Sequence, residues 1–270
     1  MNTSVSVLIL AGQRQGVVDP LLADTGVSWK ALLPIHGKPM IAYVLAALDA
    51  SKGVSRPYWI SGMDKNLIDP MPDSVTDPMT DSGLNQSPSE AGPASSVVVA
   101  AQAGLPFPFM VTTCDHPLLT PDMVEYFLRE SQASGADFTL GLATKNIIQP
   151  AYPHVKRTYL KFKATGHHSG HVSGCNLFYI RNAKGLEAIK FWRAAQHDRK
   201  RPIKLARRLG IWMLLKYLSG GLTLNIAFKH ASKSLKINAK SIILPFAEAA
   251  IDVDKPSDLK LVSEILNGRK

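Results

Sequence analysis

Short apolar segments alternate with helical patterns along this chain, and that alternation restricts the fold more than any other feature. The segments Ser4–Leu10, Phe107–Thr113 and Phe138–Ala143 are short and apolar, which is typical of strands buried on both faces. Apolar residues recur at helical spacing in Lys38–Ala50 and in Pro121–Ser134. This order indicates an α/β fold with a mostly parallel, twisted sheet and helices on both of its faces.

The remaining segments fit one large α/β domain, which we predict to span residues 1–270. Pro57–Ser61 and Ser241–Pro245 have strand patterns, and shorter strand-like pieces occur at Tyr159–Lys163 and Asn176–Ile180. Asp64–Ser96 is rich in Asp, Pro, Ser and Gly, so it is predicted to be a long loop with room for one short strand. Further helices are predicted over Ser96–Gly104, Ala183–Gln196, Pro202–Leu218, Leu222–Ala231 and Ser257–Asn267.

The net charge of +10 is unevenly distributed. Residues 145–240 contain 20 Lys and Arg but only Glu187 and Asp198 as acids, a balance of +18. The rest of the chain has 11 basic and 19 acidic residues, a balance of −8. We interpret residues 145–240 as a basic, largely helical insertion within the domain. Such a segment favours an anionic partner, although a basic surface kept for solubility is the alternative.

The compartment is predicted from the cysteines and from the N-terminus. The only two cysteines, Cys114 and Cys175, have no metal-ligand spacing, as expected for a reducing compartment. The first apolar run is too short to cross a bilayer, and no secretory pattern accompanies it. The cytoplasm is therefore the expected location.

Polar clusters follow the predicted strands, at the edge of the sheet where α/β proteins bind ligands. In Leu10–Gly16, Gly12 and Gly16 would let the backbone approach a triphosphate and Arg14 would place a cation on it; a plain turn is the alternative. Asp115 ends a buried strand, where an unpaired carboxylate is costly unless it binds a metal such as Mg²⁺. Asp252 and Asp254, two residues apart, could both face one ion.

Four motifs, in this order along the chain, resemble the nucleotidyltransferases of the GT-A-like fold. These include molybdenum-cofactor guanylyltransferases, methylerythritol phosphate cytidylyltransferases and sugar-phosphate nucleotidyltransferases. The motifs are Leu10–Gly16, Lys30 with Gly37-Lys38-Pro39-Met40-Ile41, Asp115-His116-Pro117-Leu118-Leu119, and Asp252-Val253-Asp254-Lys255-Pro256. Two departures weaken the first motif: Gln13 stands where the families have a second glycine, and a long stretch, Val17–Ser28, precedes the lysine.

The resemblance implies Mg²⁺-dependent transfer of a nucleoside monophosphate from a nucleoside triphosphate (NTP) to a small phosphorylated acceptor, with release of pyrophosphate. It implies Arg14 and Lys30 as catalytic residues, and Asp115, Asp252 and Asp254 as metal ligands, with the last two weighted equally. The implied nucleotide-binding residues are Leu10, Ala11, Gly12, Gln13, Arg14, Gly16, Lys30, Pro93, Ser95, Ser96 and Asp115. In the basic region, the predicted acceptor-binding residues are Lys161, Lys163, His167, His168 and Asn176.

Three alternatives remain open. The interrupted glycine loop is compatible with a nucleotide-binding or regulatory protein of the same fold that has lost catalysis. Nucleic acid is a less favoured partner, because the basic residues lack interleaved aromatic residues. The basic and apolar stretch His197–Leu218 would suit peripheral contact with an anionic membrane, at its inner face, or a helical subdomain packed on the core. The base, the acceptor and the oligomeric state are not determined by these patterns.

Overall fold

A computed structural model describes residues 4–13, 19–23, 25–68, 83–90, 92–165, 170–198 and 210–269, excepting the side chains of 195–198 and 211. Within these ranges, the central sheet has eight strands. Its strands are β1 (Ser6–Leu10), β4 (Tyr58–Ser61), β5 (Leu84–Ser87), β6 (Phe109–Thr113), β7 (Phe138–Thr144), β8 (Leu160–Lys161), β9 (His171–Ile180) and β10 (Ala239–Ile243). A separate hairpin is formed by β2 (Pro34–Ile35) and β3 (Lys38–Pro39).

The strand order across the sheet is β10-β7-β9-β6-β1-β4-β5, with β8 beside β9. The pairs β1–β4, β1–β6, β4–β5 and β7–β10 are parallel. Strand β9 is antiparallel to β6, β7 and β8. The predicted fold class, a mostly parallel sheet in an α/β protein, is therefore confirmed, with β9 as an antiparallel member drawn from the basic region.

The helices flank this sheet on both faces. They are α1 (Met40–Asp49), α2 (Pro93–Gln102), α3 (Pro121–Ala133), α4 (Lys145–Ala151), α5 (Leu186–Asp198), α6 (Ile211–Leu218), α7 (Leu224–Leu235) and α8 (Pro256–Gly268). Local sequence explains where they begin. For α3, the Thr120 hydroxyl accepts a hydrogen bond from Met123 N at 3.3 Å, and Pro121 occupies the first turn, where its missing N–H is not needed. Among the described residues, no helix is long and apolar enough to cross a membrane.

Strand β1 lies at the centre of the hydrophobic core. Val7 and Ile9 pack into one apolar cluster, together with α1 and α3, while Leu8 and Leu10 pack into a second one, with α2. Alternate residues of a strand point to opposite faces, so this division shows that both faces of the sheet are covered. A third cluster, beneath α8, includes Val262.

Several predicted boundaries differ from the structure for identifiable reasons. Helix α1 begins at Met40 and not at Lys38, because Lys38 and Pro39 pair with β2. His36 (φ 49°) and Gly37 (φ 77°) form the two-residue turn of that hairpin, and two consecutive positive φ values are typical of a type I′ turn. Within the long segment Asp64–Ser96, by contrast, the short strand that the prediction allowed is β5, Leu84–Ser87.

Two errors concern the basic region. Part of the loop predicted between Ala164 and Gly174 belongs to β9, which begins at His171. The short helix α4 was not predicted, since Pro150 lies inside it and its apolar pattern is brief. For the predicted helix Pro202–Leu218, the structure gives α6 from Ile211, and residues 199–209 lie outside the described ranges.

Candidate active site at the carboxyl ends of the strands

The loop after β1 is held between the ends of its two neighbouring strands. Ala11 N donates to Ser61 O of β4 at 2.8 Å, and Leu10 O accepts from Cys114 N, just after β6, at 3.0 Å. Gly12 lies directly against Gly62, where a Cβ on Gly62 would overlap the Gly12 backbone. The predicted nucleotide-binding residues Leu10, Ala11 and Gly12 therefore lie at the carboxyl edge of the parallel strands, where Gly12 is exposed and the other two are buried.

Gln13, the residue that interrupts the glycine loop, connects it to the segment that carries Lys30. Its Oε1 accepts from Lys30 N at 3.2 Å, and its Nε2 donates to Ser28 O at 2.6 Å. A glycine could make neither bond. Arg14 and Gly16, also predicted to contact the triphosphate, lie outside the described residues.

Lys30 lies between two carboxylates that are distant in sequence. Its Nζ is 2.8 Å from Asp115 Oδ2 and 3.0 Å from Asp254 Oδ1. Burial disfavours the ammonium, but attraction and hydrogen bonding from Asp115 and then Asp254 outweigh it, so the pKa of Lys30 is raised above its ordinary value. Lys30 is therefore a permanent cation at this position.

A backbone hydrogen bond from Val253 brings the Asp254 carboxylate close to that of Asp115. Val253 N donates to Asp115 O at 2.9 Å, which places Asp254 beside Asp115. At the start of α8, the Asp258 carboxylate accepts from Asp254 N at 3.2 Å. Asp258 thus has a structural capping role, and the Asp254 side chain, 65% exposed, remains directed towards Lys30.

Asp252 has different partners from Asp254. Its Oδ1 lies 2.6 Å from Arg157 Nη1, as an ion pair without the alignment of a hydrogen bond, and its Oδ2 accepts from Asn176 Nδ2 at 3.0 Å. Arg157 and Asp252 are largely buried, at 14% and 15% exposure. The two aspartates that the sequence weighted equally therefore belong to two adjacent clusters, and among the described residues no group of three or more acidic, His or Cys side chains is arranged to hold a metal ion.

Asn176 reaches Asp252 from an irregular point in β9. Between the pairs Leu140–Phe178 and Leu142–Gly174 the register of β7 and β9 shifts, and within this bulge Asn176 adopts φ +52°. Only a few non-glycine residues adopt this left-handed conformation, and Asn is among the most tolerant. Backbone strain of this kind is concentrated at functional sites.

Buried polar atoms without a hydrogen-bond partner concentrate in this part of the described structure. A native protein leaves few such atoms unpaired, and those that remain often face a ligand, an ion or water. They are Thr112 Oγ1, Thr113 Oγ1, Asp115 Oδ1, His116 Nδ1, Arg157 Nε, Tyr159 OH and Asp252 Oδ1, the last of which is ion-paired with Arg157. All of them belong to the end of β6 and the residues after it, to the segment before β8, or to Asp252.

The start of α2 faces the same edge of the sheet. Ser61 Oγ, at the end of β4, donates to Pro88 O at 3.0 Å, which fixes the segment leading to Pro93. Ser96 Oγ accepts from Glu90 N at 3.1 Å, so this predicted nucleotide-binding residue has a structural bond. Pro93 is exposed and Ser95 half-buried in the first turn of the helix.

The predicted acceptor residues are only partly described. Lys161, in β8, and Lys163 are exposed on the strand pair formed with β9, and Lys163 N donates to Leu222 O at 2.7 Å. His167 and His168 lie outside the described residues. Sequence reasoning placed Arg157 only in the general basic cluster of this region and gave it no specific role, because its contact with Asp252 lies 95 positions later in the chain.

No protein nucleophile is formed by the cysteines. Burial raises the pKa of the Cys114 and Cys175 thiols, so both stay protonated and inert.

A cleft formed by Lys52, Gly53, Glu125 and neighbouring α3 residues lies at the opposite edge of the sheet, where Gly53 O accepts from Val5 N. The cluster around Lys30, and not that cleft, combines charge, burial and unpaired polar atoms.

Comparison with known proteins gives a family match over more than half of the chain. A family model described as the MobA-like NTP transferase domain matches residues 8–173, more than half of the chain. No curated protein sequence matches. A solved structure described as a hypothetical transferase from Thermus thermophilus is 28% identical, with a TM-score of 0.75 over 95% of this chain and 100% of that one.

Two further solved structures share the fold at lower identity. A CMP:2-keto-3-deoxy-manno-octonic acid synthetase, complexed with CTP, is 12% identical with a TM-score of 0.56 over 99% of this chain and 100% of that one. A 4-diphosphocytidyl-2C-methyl-D-erythritol synthase from Anaerococcus prevotii is 9% identical with a TM-score of 0.55, over 99% and 100% of the two chains. At these identities the likeness concerns the fold alone.

Proposed function

Because the chain belongs to the MobA-like NTP transferase family, we propose that it moves a nucleoside monophosphate from an NTP to a small phosphorylated acceptor, with release of pyrophosphate and with Mg²⁺ as cofactor. The observation that carries this proposal is the position of Lys30 Nζ, within 3.0 Å of both Asp115 and Asp254, at the carboxyl edge of the sheet. A fixed cation beside two carboxylates suits a triphosphate that arrives with a divalent ion.

The carboxylates fit Mg²⁺ by their chemistry. Asp115 Oδ1 is buried and has no hydrogen-bond partner among the described residues, and carboxylate oxygens are the ligands that Mg²⁺ prefers. We infer that Asp115 and Asp254 hold the ion, since both oxygens of Asp252 already face Arg157 or Asn176. When bound, the ion would neutralise charge on the phosphate oxygens.

The protein's own residues then position the nucleotide and offset its charge. The permanent ammonium of Lys30 stabilises negative charge on the α-phosphate and on the leaving pyrophosphate. Gly12 and Gly62 let the backbones of the two loops approach each other, and Gln13 fixes the distance between the loop after β1 and Lys30. Arg14 and Gly16 complete the proposed phosphate contacts, and Pro93 and Ser95 the contacts at the start of α2.

The chemistry that this arrangement supports is in-line displacement. A phosphate oxygen of the acceptor attacks the α-phosphorus, the bond from that phosphorus to the bridging oxygen of pyrophosphate breaks, and the electron pair leaves with pyrophosphate. The acceptor phosphate would be held by Arg157 together with the predicted residues Lys161, Lys163, His167, His168 and Asn176. The cytoplasmic location also stays a proposal, supported by the two free and buried cysteines.

The first experiment is a thermal-shift panel of the four NTPs with Mg²⁺. A ligand at about 100 times its dissociation constant stabilises the folded state by about 2.7 kcal/mol, so the correct base should stand out. The same NTP is then incubated with phosphorylated sugars, polyols and lipid head-group precursors, and pyrophosphate is measured. Binding without any pyrophosphate release across such a panel would favour the regulatory alternative.

Single substitutions separate the two aspartates. Asp115→Asn and Asp254→Asn should each lower kcat by about 100-fold or more and weaken the response to Mg²⁺. Asp252→Asn should mainly raise KM for the acceptor, because it releases Arg157 and Asn176. The exposed Asp122→Asn is the matched control. Full turnover by Asp115→Asn would refute the metal assignment.

A further inference from the structure

Helix α6 exposes large apolar side chains to an extent seen at few other described positions. Trp212 is 80% exposed, Leu215 49% and Leu218 71%. Seven of the eight residues of α6 are apolar, and Lys216 is the exception. A helix that is apolar around its whole circumference normally lies within a core or against an apolar medium. Part of this helix therefore faces water without the polar residues that would suit it.

The packing of α6 determines which face is outward. Tyr217 packs edge-to-face on Phe162, with ring centroids 6.1 Å apart, and Met213 and Leu214 are half-buried beside it. At 100° per residue these side chains occupy one side of the helix. The opposite side presents Trp212, Leu215, Lys216 and Leu218, which we call the α6 surface.

The sequence on either side of α6 carries charge of a single sign. From residue 199 to residue 247 the sequence has no Asp or Glu; it has six Lys and Arg in 199–209 and five in 210–247. Within the described part, Lys216 lies one turn after Trp212 on the same side of α6, and Lys229 and Lys233 are exposed on α7. An apolar stripe within a basic region is the pattern of helices that bind anionic membrane surfaces.

We propose that the α6 surface docks the protein on a bilayer that contains anionic lipid. Trp212 and the two leucines would enter the boundary between head groups and acyl chains, where Trp is enriched, while the lysines contact lipid phosphates or carboxylates. The helix would lie in the plane of the interface, since its eight residues extend about 12 Å, far less than a hydrocarbon core. Apolar insertion and charge attraction supply the two contributions that stable peripheral binding requires.

Charge and side-chain type disfavour two other occupants. A second copy would bring one basic surface against another, and like charges oppose that contact. Single-stranded nucleic acid requires aromatic side chains for stacking, but the α6 surface has one aromatic residue and two aliphatic ones. Anionic lipid satisfies both the charge and the apolar stripe. The proposal concerns a surface separate from Lys30 and does not depend on the chemistry proposed there.

The test is flotation of the full chain with vesicles, without nucleotide. Vesicles of phosphatidylcholine with 30% phosphatidylserine should retain the protein at low salt, and pure phosphatidylcholine should not. Trp212→Ser combined with Leu218→Ser should lower the apparent partition by at least about tenfold. Leu67→Ser combined with Ile226→Ser, which changes exposed apolar residues outside the α6 surface, is the matched control and should bind like the original chain.

Two further measurements make the result decisive. Trp212→Phe keeps an apolar ring, so it should still bind. Subtracting its tryptophan fluorescence spectrum from that of the original chain gives the emission of Trp212, which should shift to the blue on anionic vesicles. All variants should keep the original melting temperature, since the changed side chains are exposed. Equal retention of the double variant and the original chain, or no retention of either, would overturn the proposal. So would a dimer or an oligonucleotide complex that the double variant alone abolishes, because either would identify a different occupant.

Discussion

Gly62 and Gly12 approach each other where the turns after β4 and β1 cross. Gly62 has φ +96°, and a Cβ on it would overlap the N and Cα atoms of Gly12. The position thus requires glycine both for its conformation and for the lack of a side chain. Since Gly12 belongs to the proposed phosphate-binding loop, Gly62 supports that loop from a different strand.

Gly62→Ala should destabilise the protein by about 2–4 kcal/mol, from strain at positive φ together with displacement of the Gly12 backbone. It should also raise KM for the NTP. The control is Gly53→Ala: Gly53 has φ +89°, but open space surrounds its Cβ position. Chemical denaturation gives the free energy of unfolding of both variants. Gly53→Ala measures the strain at positive φ alone, and the additional loss in Gly62→Ala measures the crowding against Gly12. Equal losses in the two variants would mean that the contact with Gly12 contributes nothing.

Lys30 is the residue on which the proposed chemistry most depends. Lys30→Met retains the aliphatic chain and removes the cation, so kcat/KM for the NTP should fall by about 100- to 1,000-fold, the usual cost of losing one charge-stabilising donor. In Lys30→Arg, kcat/KM for the NTP should fall less, because arginine retains the charge. Lys184→Met, at an exposed lysine on the opposite edge, should have the original kinetics. Steady-state assays of pyrophosphate release measure all three, and an unchanged rate for Lys30→Met would exclude Lys30 from catalysis.

At the scale of elements, the bulge in β9 shows how a strand positions a side chain. Regular pairing would direct residue 176 along the alternation of the strand, whereas the register shift opposite Leu140–Leu142 places Asn176 at φ +52° and its amide on Asp252. Bulges near active sites commonly redirect a side chain in this way. The conformation and the hydrogen bond can be tested separately.

Asn176→Gly should keep or slightly improve the free energy of unfolding, because glycine accepts positive φ, while Asn176→Ala should lose about 1–2 kcal/mol. Both variants lack the amide on Asp252, so both should raise KM for the acceptor by a similar factor. Urea denaturation and acceptor titrations provide the two measurements. If KM followed stability and changed only in Asn176→Ala, the amide would have no direct role in the site.

The central strands were predictable because burial on two faces leaves a clear apolar run. Phe109–Thr113 and Phe138–Thr144 lie within two residues of the predicted limits. Strand β9 was less predictable: its first half, His171 to Cys175, contains Gly174 and polar residues that are typical of a loop. This half forms a strand because β7 and β8 pair with it, a tertiary effect that overrides local propensity.

Part of the site was also accessible from sequence. Lys30, Asp115 and Asp254 were selected as candidates by residue type and motif order, and the structure places Lys30 Nζ within 3.0 Å of a carboxylate oxygen of each aspartate. Arg157 and the two hydrogen bonds of Gln13 could not be selected in this way. Each depends on a partner at a distance that no local pattern encodes, and Gln13 even resembled a defect of the glycine loop.

At the scale of the whole molecule, the described residues divide into a buried sheet and a less buried basic periphery. Strand β1 has four buried residues of five, whereas α7 has no buried residue and α6 exposes its apolar side. Regions with few buried contacts open at a lower free energy than the core does. The catalytic candidates lie at the carboxyl edge of the buried sheet, and the proposed membrane surface lies on the periphery.

Hydrogen exchange measured by mass spectrometry should reproduce this division. Amides of α6 and α7 should exchange at least about 100-fold faster than those of β1 and β6, since the former open locally and the latter require global unfolding. Adding the preferred NTP with Mg²⁺ should protect peptides that contain Leu10–Gln13, Thr113–His116 and Asp252–Asp258, and leave Ile211–Leu235 unchanged. Asp115→Asn under the same conditions should show little added protection. If the nucleotide instead protected Ile211–Leu235, the triphosphate would bind the basic periphery, and the roles proposed for the two surfaces would have to be exchanged.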